Sequence, residues 1–305
     1  MTSGVSGFKS AQAAQQYQRL YDEQVATFWP VTHEELDVSS RFGTTRVRVS
    51  GEADGIPLLL VHPTAGSSAG WYPLIGPLCE DRRVYTPDTI GAAGRSVQTA
   101  PITSVGDLVT WLDEVLDALD LERVHIVGYS EGGWIAGSHA ALTSRPDRVT
   151  TSTLIEPAGA IERVPTTFLV AMIGRGALTL LARDKPAAVR KFNRWMNGDV
   201  ELTDAQVELV LAAMGSFRQK LPRPHRLTDD ELRRITAPTL LLLGADTKLY
   251  DAAAVQERAL RLIPTVEVEV IPDAGHGLAF QYPELVSARI LEHVAPGAHP
   301  GTIEV

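Results

Sequence analysis

The sequence predicts an α/β protein: a mostly parallel, eight-stranded sheet with helices on both faces and an inserted all-helical cap. Three observations carry this. Runs such as residues 57–62 (PLLLVH) and 238–243 (PTLLLL) are continuously apolar rather than alternating, as strands buried on both faces are. Such runs alternate with helix-period segments, the order that builds parallel sheets through crossover helices. Between Pro157 and Ala237 the alternation stops, and helical periodicity continues without a buried strand.

Taken in order, residues 11–28 are helix-compatible, with Tyr17, Leu20, Tyr21, Val25 and Phe28 on one side and Pro30 ending the run. This helix precedes the sheet and forms an extra layer, on the body or at the mouth of the site. Residues 36–40 and 44–49 alternate apolar and polar positions around Gly43 and read as a hairpin. Strands follow at 57–62, 83–86, 124–129, 149–156, 238–243 and 266–271. Helices are expected at 105–119, 132–143, 252–262 and 283–294; the first has Leu108, Leu112, Val115 and Leu116 on its apolar side. In the insertion, 166–181, 187–197 and 204–217 read as helices, with Pro186 near the start of the second and Thr203 before the third. The expected organisation is an N-terminal helical extension (1–33), a core (34–157 and 238–296), a cap (158–237) and a loosely ordered tail (297–305). A cap over the carboxyl ends of the strands lies where such sheets place their sites.

Composition narrows the function. The chain has 305 residues, 44% hydrophobic and 21% charged, enough for one large core. Its formal charge is −9 and no Lys/Arg block stands out, which argues against a nucleic-acid or membrane partner. Cys79 is the single cysteine, so no disulfide forms within the chain and a structural role in a helix is expected. The start MTSGVSGFKS lacks the basic and apolar stretches of a secretory signal, and no segment approaches a membrane span, so a cytoplasmic protein is expected.

The chemistry centres on Gly128-Tyr129-Ser130-Glu131-Gly132, directly after the apolar run 124–127. Strand, sharp turn and helix place a serine at the apex of the turn, with its hydroxyl pushed out of the sheet. The plainer alternative is that Ser130 only caps the helix. A serine hydroxyl is a poor nucleophile at neutral pH and needs a base. His276, on the glycine-flanked loop Asp273-Ala274-Gly275-His276-Gly277, follows the last strand and is the candidate. The other histidines do not match the spacing of a catalytic zinc motif, and no metal or organic cofactor is expected. The backbone N–H of Glu131 is the first candidate oxyanion donor, its carboxylate serving the helix start. The second donor should come from the loop after His62; Pro63 has no N–H, which leaves Thr64, with His62 bracing the loop. The acid that orients the histidine is Asp246, just past a buried strand, or Glu156, at the end of another; Asp251 and Asp273 are weaker alternatives. Trp71, Trp134, Phe168 and Met172 are candidates to line a substrate pocket.

With these residues in place, the chain resembles the α/β-hydrolase superfamily, particularly small carboxylesterase-like serine hydrolases. Gly128 to Gly133 matches the nucleophile motif, Asp273 to His276 the histidine loop, and Thr86 to Ser96 resembles the Asp-Gly-Gly-x-Ser loop. The resemblance implies a serine hydrolase that cleaves a small or medium carboxylic ester or lactone through an acyl-enzyme. Its partner would be a small-molecule acyl substrate, and a homodimer is compatible with the sequence. Two departures stand out. His62-Pro63 replaces the family's His-Gly, and counting from Gly244 to the usual acid position lands on Thr247. In some relatives, including haloalkane dehalogenases, the acid comes from the end of the sixth strand, the region Glu156 occupies. The serine nucleophile argues against dehalogenase and epoxide-hydrolase chemistry. Two alternatives stay open: a thioesterase, acyltransferase or cyclase in a biosynthetic pathway, and a non-catalytic ligand-binding protein with the same fold.

Overall fold

Nine strands form one sheet in the computed structural model, which describes residues 4–52, 54–64 and 66–298. Most of the tail expected from 297 onward lies outside the described residues. In chain order the strands are β1 (Gly7–Phe8), β2 (His33–Ser40), β3 (Gly43–Ser50), β4 (Leu58–Val61), β5 (Val84–Pro87), β6 (Val97–Gln98), β7 (Val124–Tyr129), β8 (Val149–Ile155), β9 (Phe217–Arg218), β10 (Thr239–Gly244) and β11 (Val266–Ile271). The main sheet runs β11-β10-β8-β7-β4-β5-β3-β2, with β6 paired to β3. From β5 to β11 every pairing along this path is parallel; β2, β3 and β6 join antiparallel at the other edge. The eight strands expected from sequence are those of this path. Gly43 opens β3 at φ +136°, and a Cβ there would sit 2.0 Å from the Val97 carbonyl oxygen, so the hairpin needs glycine.

The helices are α1 (Ala11–Phe28), α2 (Tyr72–Asp81), α3 (Val105–Ala118), α4 (Glu131–Leu142), α5 (Thr166–Leu181), α6 (Lys185–Asn197), α7 (Asp204–Ser216), α8 (Asp229–Arg233), α9 (Ala252–Leu262), α10 (Leu278–Gln281) and α11 (Pro283–His293). The continuous apolar runs become strands with two buried faces. In β4, Leu59 and Val61 enter one core with α3 and α4, while Leu58 and Leu60 enter the other with α1, α2 and α11. The α3 residues Leu108, Leu112, Val115 and Leu116 are all buried, as their spacing predicts. Cys79 lies in α2, and burial pushes its thiol up to about 11, which suits a packing role rather than a reactive one.

The insertion carries α5, α6 and α7, as expected, and after them β9, which pairs antiparallel with β1 at the N-terminus, and the short α8. The N-terminal extension is thus a helix plus a strand. Two-residue strands have no periodicity to read; these exist because tertiary packing brings two chain segments edge to edge. Helix α1 lies against α7 and against the body. The Tyr21 hydroxyl shares a hydrogen bond with Ser68 Oγ at 2.9 Å and accepts one from the buried Arg48 at 3.1 Å. Tyr17 donates to the Ala93 carbonyl at 3.0 Å. Among the described residues no helix is long and apolar enough to cross a membrane.

Candidate active site

Four neighbouring strands, β7, β8, β10 and β11, deliver their carboxyl ends to one place. Ser130 follows β7 at φ +56°, a left-handed conformation rare outside glycine. The turn holds because Ser130 N–H donates to the Ile155 carbonyl at 2.9 Å, while its carbonyl accepts from Trp134 and Ala158, each at 3.0 Å. The motif's glycines are steric requirements. A Cβ on Gly128 would lie 2.3 Å from the Gly132 carbonyl oxygen, and one on Gly132 would lie 2.0 Å from that of Val61. The same crowding brings the first turn of α4 against the end of β4, where the loop His62 to Ser68 begins.

His276 follows β11. Its Nε2 is 2.9 Å from Ser130 Oγ, and its Nδ1 is 3.1 Å from Glu156 Oε2. Tyr129 packs its ring 5.5 Å from the imidazole and donates its hydroxyl to the His276 carbonyl. Gly275 N–H donates to Gln281 Oε1 at 2.9 Å, bracing the same loop. Ser130, His276 and Glu156 are all buried, at 7%, 7% and 0% exposure.

The acid bonded to the histidine is therefore Glu156; Asp246 does not take that place. The physical reason is the backbone. Glu156 turns off the end of β8 at φ +46°, with its N–H held by the Leu242 carbonyl at 2.9 Å. Its side chain then accepts from Gly244 N–H at 2.7 Å and from the Thr247 hydroxyl at 2.5 Å, besides His276. Asp246 is solvent-exposed, and its N–H donates to the Ala274 carbonyl at 2.8 Å. Thr247, where the family's usual acid falls by count, holds the acid supplied by the neighbouring strand. Asp251 caps α9 by accepting from Ala253 N–H at 3.0 Å, and Asp273 is exposed.

His62 is a brace. Nδ1 meets the Pro63 carbonyl at 2.9 Å and Nε2 accepts from Thr89 N–H at 2.9 Å, while burial holds its imidazole below the usual range. Glu131 starts α4, as expected, but its carboxyl group is buried and accepts from the Thr64 hydroxyl at 2.7 Å and from Gln219 Nε2 at 3.1 Å. Burial pushes this carboxyl above the ordinary glutamate range, against the pull of those two hydrogen bonds. Of the pocket candidates, Trp71 packs edge-on to Tyr129 in one core, and Trp134 packs in the other with His225 against its ring. Phe168 stacks on Trp195 between α5 and α6, with ring centroids 5.4 Å apart, and Met172 packs against the core from the cap. Sequence reasoning did not single out Gln219, Gln281 or the side chains of Tyr129 and Thr247. Only Thr247 left a signal, as the wrong residue type at the acid position.

Comparison with known proteins settles the family. Residues 58–289 match the model of the alpha/beta hydrolase family. The chain belongs to that family. It is 31% identical to the carboxylesterase YbfK of Bacillus subtilis (strain 168), over 95% of this chain and 97% of that one. It is 32% identical to the uncharacterized carboxylesterase nap of the same organism, over 90% and 91%. The crystal structure of naproxen esterase (carboxylesterase NP) from Bacillus subtilis superposes with a TM-score of 0.84 at 31% identity, covering 94% of this chain and all of the other (100%). This α/β-hydrolase is thus of the carboxylesterase-like kind, with a helical cap.

Proposed function

We propose that this α/β-hydrolase is a serine esterase that cleaves small or medium carboxylic esters or lactones, with Ser130, His276 and Glu156 as its catalytic triad. One observation carries the reading: Ser130 Oγ, the His276 ring and the Glu156 carboxylate lie in one hydrogen-bonded line, with steps of 2.9 and 3.1 Å. The similarity to two Bacillus subtilis carboxylesterases supports the substrate class.

With Glu156 accepting the Nδ1 proton, Nε2 is left free to accept the Ser130 proton. The Ser130 oxygen attacks the ester carbonyl carbon as His276 takes its proton. The carbonyl oxygen becomes negative, and the backbone N–H groups of Glu131 and Thr64 are the donors assigned to it. The imidazolium, stabilised by Glu156, protonates the departing alcohol and leaves an acyl-Ser130 ester. A water molecule, deprotonated by His276, attacks that ester; the bond from the acyl carbon to Ser130 Oγ breaks, the imidazolium returns its proton to Ser130, and the acid leaves. No step calls for a metal or cofactor. The cap side chains Phe168 and Met172 are assigned to shaping the acyl site; Trp71 and Trp134, which the sequence offered for the same task, are instead packed into the two cores. A small-molecule acyl substrate is the partner this chemistry needs; nucleic acid and membrane play no part in it.

A fluorophosphonate probe tests the reading. The wild-type protein should be labelled and the Ser130→Ala variant should not, with ester turnover falling by about 10⁶-fold in the variant. Labelling that survives Ser130→Ala would remove Ser130 as the nucleophile, and an unlabelled wild type would favour a non-catalytic binding protein.

A further inference from the structure

Glu131 follows the nucleophile directly, and the mechanism above uses only its backbone. Yet its side chain is not a solvated helix-start carboxylate. It is 6% exposed and hydrogen-bonded at both oxygens, Oε2 to the Thr64 hydroxyl at 2.7 Å and Oε1 to Gln219 Nε2 at 3.1 Å. These partners come from different parts of the fold. Thr64 sits on the loop after β4, which carries the second assigned oxyanion donor. Gln219 directly follows β9, within the cap segment.

Gln219 is itself pinned from both sides by the N-terminus. Lys9 N–H donates to the Ser216 carbonyl at 2.8 Å, and Lys220 N–H donates to Ser6 Oγ at 2.8 Å. Between them β1 pairs with β9, and Ser6 N–H is anchored on Gln98 Oε1 at 2.9 Å. A continuous set of hydrogen bonds therefore runs from the N-terminal strand through Gln219 and Glu131 to Thr64.

We propose that the Glu131 carboxyl group is a positioning residue: it holds Thr64, and with it the oxyanion loop, in register with Ser130, and Gln219 ties that register to the seating of the cap. The proposal rests on the reading of Ser130 and His276 as nucleophile and base, and deepens it. A loop with proline at its second position is well suited to such a clamp. Pro63 fixes its own φ but donates no hydrogen bond; its carbonyl is held by His62 Nδ1 at 2.9 Å and by Gly66 N–H at 3.1 Å, and the side chain of Thr64 adds the tie to α4. Because the Thr64 N–H acts on an oxygen that becomes negative only after attack, a loosened loop should cost kcat and leave KM nearly unchanged.

The test is steady-state kinetics on an activated ester for Glu131→Ala, Glu131→Gln, Gln219→Ala and Thr64→Val, all of which keep the backbone donors. Glu131→Ala should lower kcat by about 10²-fold with KM within about threefold. Glu131→Gln should recover most of that loss, since the amide can still accept from Thr64 and Gln219 can turn its own amide to match. Gln219→Ala and Thr64→Val should each lower kcat by about tenfold. If Glu131→Ala does not fold, the other three variants decide. Wild-type kcat in both Gln219→Ala and Thr64→Val overturns the clamp, as does a Glu131→Gln loss equal to that of alanine, or a loss confined to KM. Fluorophosphonate labelling run alongside separates the two levels. If Ser130-dependent labelling is intact in the wild type while these variants behave as wild type, the clamp alone fails; if that labelling is absent, the esterase reading fails first.

Discussion

Glu156 is fully buried and accepts three hydrogen bonds, from Gly244 N–H, the Thr247 hydroxyl and His276 Nδ1. In the proposed triad, a carboxylate so held would fix the imidazole tautomer and stabilise the imidazolium formed during acyl transfer. An amide in its place would set an NH₂ group against one of these donors. Glu156→Gln should therefore lower kcat by about 10³–10⁴-fold. Asp246→Asn, at an exposed site off the histidine, should stay within about twofold. Turnover of an activated ester by the two variants side by side checks this, and equal effects would remove Glu156 as the acid. Glu131 makes a second prediction at this scale. Burial raises its folded-state value above the unfolded one, and its hydrogen-bond partners Thr64 and Gln219 carry no charge. Linkage then gives the sign: its contribution is fully present below the ordinary glutamate value and is lost as pH rises through the raised one. Glu131→Gln does not titrate, so its stability relative to wild type should rise over that window and then level off. Urea unfolding at a series of pH values measures it, and a difference that grows toward acid would contradict the raised value.

At the scale of elements, the site depends on α4 starting hard against the end of β4. Gly132 makes that approach possible, since a Cβ there would lie 2.0 Å from the Val61 carbonyl oxygen and 2.7 Å from that of His62. Gly132→Ala must push α4 away from β4, and with it the Glu131 N–H from the Thr64 loop. We expect a loss of about 1–3 kcal/mol in stability from the overpacking, and a fall in kcat beyond the Gly137→Ala control, whose nearest neighbour would be 3.4 Å away. Chemical denaturation and ester turnover check the pair. The same elements show what was legible in sequence. The parallel strands announced themselves because burial on both faces demands unbroken runs such as Leu58 to Val61, and the elbow because its glycines are sterically compelled. The carboxylate that bonds His276 was legible only as a choice between two strand ends. What decides it is the left-handed turn at Glu156 and the donors waiting on β10, neither of which has a local pattern. Strands β1 and β9, two residues each, were invisible for the same reason: their pairing is set by where α1 and α7 pack.

On the scale of the whole molecule, the cap is held unevenly. Helix α7 buries Gln206, Val207, Leu209 and Ala213, lies against α1, and leads into the strand pair β1–β9. Helix α5 buries only Phe168 and Thr179, and leaves Val170, Ile173, Leu178 and Leu181 more than half exposed, at 66%, 62%, 69% and 82%. Burial of apolar surface is the main source of local stability, so the two halves of the cap should open with different free energies. The N-terminal extension fastens the α7 half to the core, and that half leads to Gln219, which bonds Glu131 beside Ser130; the α5 half has no such tie to the N-terminus among the described residues. Native-state hydrogen exchange should then rank three groups. Amides of β4, β7, β8 and β10 should be the slowest, those of α7 intermediate, and those of α5 the fastest. Weakening the β1–β9 pairing with Lys9→Pro, which removes the N–H that donates to the Ser216 carbonyl at 2.8 Å, should speed exchange in α7 while leaving α5 and the sheet unchanged. Equal protection of α5 and α7 in the wild type, or an α7 indifferent to Lys9→Pro, would mean that the cap opens as one body and that the N-terminal strand does not hold it.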